Sequence, residues 1–198
     1  MFSPAKRLFR NEDGMAAIEF SMVLPLFVTL FLGSFTLFEM YVNKDNIQNS
    51  TNVISDLVSR QLEVDDDFFD VQHSLHMSLN GAVDPSQAPL VVTSVENFLI
   101  DIRDPNDPDD DITESRAIWN YNSTTGRSEV ITTSNPYTAH ALPMLAPGET
   151  AIVVETMVRD APLFDYFSFG ATDYENVAVL TPRYTNSIVN CELIACQN

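Results

Sequence analysis

The chain has 198 residues, 45% of them hydrophobic, and a net charge of −18 from 10 Lys+Arg against 28 Asp+Glu. Such a surplus of acid argues against nucleic acid or anionic lipid as a partner of its soluble part. Six glycines, with no Gly-x-Ser-x-Gly elbow and no phosphate-cradling glycine loop, argue against the common hydrolase and nucleotide-binding classes.

The first 14 residues carry three basic groups, Lys6, Arg7 and Arg10. From Phe20 to Phe38 there follow 19 consecutive uncharged residues. As a helix these span about 28 Å, close to the ~30 Å hydrocarbon core of a bilayer. A buried core helix of that length would be unusually and uniformly apolar for so small a protein, so one membrane crossing is expected. A secretory signal would have a shorter apolar run, about 7–15 residues, and a small-x-small cleavage site after it. Glu39-Met40-Tyr41-Val42-Asn43-Lys44 offers no such site, so a permanent anchor is favoured. The basic flank then stays in the cytoplasm and the remainder is exported. With three of the ten basic and two of the 28 acidic residues in the first 14, the exported part carries −19. Its contacts are expected to be with protein.

The membrane border reads Arg10-Asn11-Glu12-Asp13-Gly14-Met15-Ala16-Ala17-Ile18-Glu19-Phe20. A carboxylate inside a membrane helix costs about 2.5–3.5 kcal/mol at the bilayer centre and less near an interface, so Glu19 needs a reason. The bland one is an interfacial acid that snorkels. Gly14, four small or apolar residues, Glu19 and the aromatic Phe20 together resemble the prepilin-peptidase site of TadE/TadF-type pseudopilins, the type IVb proteins of Flp (Tad) pilus assembly. The family often has tyrosine where this chain has Phe20, which keeps the ring and loses the hydroxyl. Met22-Val23-Leu24-Pro25-Leu26-Phe27 resembles the family's apolar segment. Pro147-Gly148-Glu149 and Thr181-Pro182-Arg183 are similar, more weakly, to TadE-type features.

The resemblance implies cleavage between Gly14 and Met15 by a prepilin peptidase, leaving Glu19 as the fifth residue of the mature chain. Glycine presents an unobstructed backbone to such a protease. The α-amino group released by cleavage could neutralise Glu19 of an adjacent subunit at low dielectric, with Glu19 and Phe20 as assembly contacts. Pro25 is expected to kink the helix, and Gly33-Ser34 gives a small patch where another helix can approach. The organisation implied is a cytoplasmic leader over 1–14, a transmembrane helix over 15–40 and a periplasmic α+β domain over 41–198. The protein would be a minor pseudopilin-like structural component in the bacterial inner membrane. Its partners would be the prepilin peptidase and other pseudopilins or the Tad pilus machinery, with no enzymatic activity and no cofactor. The alternative is an unprocessed single-pass protein whose acidic domain binds a ligand or calcium. An anchored hydrolase comes third, having no catalytic constellation.

Beyond the membrane, Ile47, Ile54, Leu57, Val58 and Leu62 recur at helical spacing, so the anchor helix is expected to continue as a spine to about Glu63. Asp65-Asp66-Asp67 breaks it and can cap a second helix with an apolar face of Phe68, Phe69, Gln72, Leu75 and Leu79, ending before Gly81. Strand signals follow over Leu90–Ile102, Ser115–Tyr121, Arg127–Thr133 after the turn Asn122–Gly126, Thr150–Val158, and Glu175–Val189 interrupted at Pro182. With no helical pattern between them, an antiparallel sheet is expected, Pro182 marking an edge or a strand end. Asn135–Gly148, with Pro136, Pro143 and Pro147, reads as a loop.

Three clusters are candidate sites. Asp104, Asp107, Asp109, Asp110 and Asp111 fall within eight residues, dense enough for calcium, but the segment lacks the EF-hand's turn glycine and final glutamate, and a solvated loop is favoured. His73 and His76 lie three apart without a zincin Glu or a third ligand, so no metal is expected there and they read as surface or satisfied residues. Cys191 and Cys196 are the two cysteines, in a compartment that permits oxidation. A small disulfide is favoured over reduced thiols or a metal pair.

Overall fold

A computed structural model of the chain describes residues 13–82, 84–101, 112–132, 136–160, 170–194 and 196, with 13–17, 101 and 112 as backbone only. It divides into two compact units, Met1–Val42 with Ala161–Gly170, and Asn43–Asp160 with Ala171–Asn198. The class is α+β: a long N-terminal apolar helix, a second helix, then an antiparallel five-stranded sheet.

The first helix, α1, spans Asp13–Ser59 and runs on through Pro25. Proline removes one donor from the ladder, yet the segment keeps its polar groups satisfied internally. Thr29 Oγ1 donates to the Pro25 carbonyl at 2.7 Å, Ser34 Oγ to Phe31 at 2.9 Å and Thr36 Oγ1 to Leu32 at 3.0 Å. Ile18, Phe20, Met22, Leu24, Leu26, Phe27 and Val28 are all exposed, and at about 100° per residue they cover every side of the helix. A helix apolar all round is one whose surroundings are apolar.

Within the second unit, α1 buries Ile47, Ser50, Thr51, Ile54, Ser55, Val58 and Ser59, a stripe at three- and four-residue spacing. The small hydroxyls can be buried because each donates back into the helix: Ser50 and Thr51 to the Ile47 carbonyl, Ser55 to Asn52, Ser59 to Asp56. The helix ends at Ser59, four residues short of the expected Glu63. Tighter bonds from Arg60 N to Leu57 O and Gln61 N to Val58 O close the last turn. The following backbone is then captured by the C-terminus. Glu63–Val64 (β1) pairs in parallel with Val189–Asn190 (β7), Val189 N donating to Leu62 O and Cys191 N to Val64 O. Val64 is buried there, while Leu62, expected on the spine's apolar face, is 58% exposed.

The second helix, α2, spans Asp66–Asn80. Asp65 caps it, Oδ1 accepting from Phe68 N at 2.7 Å, and Gly81 ends it at φ +65°, a left-handed conformation that glycine adopts without steric cost. Its buried face is Phe69, Gln72, His73 and His76. This corrects the expected face: Leu75 is half-buried and Leu79 is exposed. The rotation is set by Phe69, which stacks on Tyr121 with ring centroids 4.7 Å apart and lies 5.9 Å from Trp119. That contact turns both histidines inward.

The remaining strands are β2 (Leu90–Asp101), β3 (Ile112–Asn122), β4 (Arg127–Val130), β5 (Thr150–Asp160) and β6 (Thr172–Leu180). They form one antiparallel sheet in the order β4-β3-β2-β5-β6. One face packs Leu90, Val92, Trp119, Tyr121, Ile152 and Val154 against Ile54, Val58 and Phe69 of the two helices, closed by Val64 and Ile188. Strand alternation puts Val153 and Glu155 on the opposite face. The proline-rich stretch crosses that face as a strap: Tyr137 N donates to Ser115 O, His140 Nε2 lies 2.8 Å from Glu155 Oε1, and the Leu145 carbonyl accepts from Asn97 Nδ2. The edge strand β6 ends at Leu180, two residues before Pro182.

Candidate assembly segment

Gly14 and Met15 lie in the first turn of α1, which begins at Asp13. Glu19 and Phe20 are exposed, Phe20 at 65% of its surface. Glu19 forms no ion pair among the described residues. A carboxylate is thus presented outward directly before the uncharged run, and α1 is long and apolar enough to cross a membrane.

At its other end α1 is held by a stretch that sequence reasoning marked without explaining. Arg183 N donates to the Ser59 carbonyl at 2.8 Å, and its guanidinium pairs with Asp56 Oδ1. Asp56 Oδ2 takes Arg60 at 2.7 Å. Two cations therefore sit at the negative end of the helix dipole, just past the last turn of α1. Pro147-Gly148-Glu149 forms a tight turn with Gly148 at φ +82°, Glu149 N bonding Ala146 O at 3.0 Å. Gly148 N and Glu149 O bond the backbone of Asn97, tying the strap's end to β2. Thr150 N and Oγ1 both donate to Asn186 O, and Glu149 and Thr150 line one hollow with Thr181, Pro182, Thr185 and Asn186. No local pattern signals the Arg183–Asp56 pairing, since its partners are far apart in the chain.

The disulfide joins Cys191 to Cys196 with Cα atoms 5.1 Å apart, closing the turn that follows β7. Glu63 Oε2 lies 3.8 Å from Cys191 Sγ, but sulfurs bonded to each other offer no thiolate to a metal. Asp104, Asp107, Asp109, Asp110 and Asp111 fall outside the described residues, as does the leader up to residue 12. His73 and His76 are brought together in the interior rather than at the surface, with Ala88 O and Ser50 Oγ as their respective partners.

Neither the curated proteins nor the solved structures hold a match to this chain. Residues 14–51, from Gly14 through Glu19 and the apolar run to Thr51, are similar to the family model described as TadE-like protein.

Proposed function

We propose that the chain is a minor pseudopilin-like structural protein of a Flp (Tad) pilus assembly system, inserted once in the bacterial inner membrane and processed between Gly14 and Met15. The observation that carries this is the TadE-like match, which begins at Gly14 itself and includes Glu19, Phe20 and the apolar run. That family associates the chain with the Tad pilus machinery and with structural rather than catalytic work.

In this reading residues 1–14 are a cytoplasmic leader, 15–40 cross the membrane and 41–198 form a periplasmic domain. The prepilin peptidase removes the leader. Glu19, exposed and without an ion pair among the described residues, meets the new α-amino group of a neighbouring subunit, and Phe20 packs beside it. The partners are other pseudopilins or the pilus machine.

Crosslinking in host membranes tests the assembly contact through Glu19→Gln. Insertion and cutting should survive, because the apolar run and Gly14 are untouched and a neutral side chain costs less in the membrane. Crosslinks to the pilus partners should weaken. Undiminished crosslinking would make Glu19 a snorkelling acid and remove it from the interface.

A further inference from the structure

In the second unit, α1, α2 and β5 meet at a polar cluster that neither the hydrophobic core nor the assembly reading uses. His76 has no exposed surface, and His73 is 8% exposed. His73 Nε2 lies 3.0 Å from the Ala88 carbonyl. His76 Nδ1 lies 3.1 Å from Ser50 Oγ on α1 and 3.2 Å from Asn80 Nδ2, one turn along α2. The same Asn80 amide donates to the His76 carbonyl at 2.8 Å and to Ser50 Oγ at 3.0 Å, which fixes its nitrogen toward the ring. An amide nitrogen only donates, so the Asn80 contact takes Nδ1 as acceptor and puts the single ring hydrogen on Nε2, which is buried with no hydrogen-bond partner among the described residues; Ser50, whose hydrogen goes to the Ile47 carbonyl, supplies none to Nδ1. Beside it Thr51 Oγ1 of α1 bonds Thr156 Oγ1 of β5, which brings helix and sheet close at this point.

The groups facing His76 carry no negative charge to balance a second proton. α1 presents the neutral Ser50, β5 the backbone of Met157, and α2 its own Asn80 and His73; among the described residues no carboxylate acts on the ring. Burial holds the imidazole below its ordinary range, with the Met157 backbone opposing and His73 adding to the effect.

We propose that His76 makes this three-way seam an acid-sensitive latch. A proton taken up at Nδ1 turns the acceptor of the Ser50–His76–Asn80 network into a donor facing the Asn80 N–H. It also buries a cation with no counter-charge, so α2 loosens from α1 and the sheet. The sign follows from linkage: where the closed state holds the ring neutral and the open state does not, the closed state is complete above the ordinary histidine value near 6.5. It weakens as pH falls below that value, by up to about tenfold per pH unit. The inference stands on the packing alone and does not depend on the pilus reading.

Amide hydrogen exchange on the full chain in detergent micelles tests it, at about pH 7.5 and about pH 5.5, after correction for the intrinsic pH dependence of exchange. Peptides over residues 66–80 should lose protection on acidification by about tenfold relative to peptides from β3. His76→Gln, neutral at both pH values, should abolish that difference, while His140→Gln, on the strap, should retain it. Equal protection at the two pH values, or a difference that persists in His76→Gln, overturns the proposal. Should His76→Gln fail to fold, the ring titration of His76 in the wild-type chain by NMR decides. A midpoint below 6.5 with loss of protection tracking it supports the latch, and a midpoint at or above 6.5 contradicts it.

Discussion

The phenol of Tyr121, with no exposed surface on its residue, donates to Asp70 Oδ1 across 2.6 Å, joining β3 to an exposed carboxylate on α2. The bond fixes α2 at the point where Phe69 stacks on the same ring. Burial and the Asp70 carboxylate push the Tyr121 hydroxyl above its ordinary range, and burial with Glu155 pushes Tyr137 to about 12.

Tyr121→Phe should therefore cost about 1–2 kcal/mol in chemical denaturation, since the ring stays and Asp70 can return to water. The pH dependence has a definite sign. A tyrosine held protonated in the fold stabilises fully below the unfolded value near 10, and that stability is lost as pH rises above it. Melting of the wild type should thus fall steeply above about pH 10, and Tyr121→Phe should flatten part of the fall.

The corrected face of α2 separates two substitutions that the sequence pattern ranks alike. Phe69→Ala empties a site shared with Trp119 and Tyr121 and should cost about 3–5 kcal/mol. Leu79→Ala, at a residue 47% exposed, should stay within about 0.5 kcal/mol. Comparable losses from the two in the same denaturation series would refute the observed rotation of the helix.

Cys191→Ser with Cys196→Ser should leave the domain folded. The bridge closes a turn with four residues between its ends, a loop too short to gain the ~3 kcal/mol estimated for a 15-residue one. β7 is also held independently, through Val189 N to Leu62 O and Trp119 Nε1 to Ile188 O. Peptide mapping without reductant should recover Cys191 joined to Cys196 in the wild type, and the double variant should melt only slightly lower.

Much of this fold could be read locally. The cap at Asp65, the stop at Gly81, the turn before Gly126 and the strand cores all rest on side-chain chemistry within a few residues. Helix rotation could not be read that way: counting apolar positions favoured Leu75 and Leu79, whereas a single aromatic stack decided for His73 and His76. Where α1 stops depends on a strand that arrives from residues 189–190, and no local signal carries a pairing over that separation. The strap had the same difficulty, since its prolines announced a loop but not the face of the sheet it would cross. In the assembly segment, Gly14, Glu19 and Phe20 were legible because their meaning lies in spacing against a membrane border. The clamp of Arg183 on Asp56 was not, because it exists only once the chain has folded.

Cleavage after Gly14 is the step on which the assembly account turns, and the mature N-terminus reports it directly. Intact mass of the chain purified from host membranes should match a protein beginning at Met15 when the prepilin peptidase is present, and a protein retaining residues 1–14 when the peptidase gene is deleted. The same full-length mass from both strains would contradict the account, leaving a single-pass protein whose Gly14 is simply the start of a membrane helix.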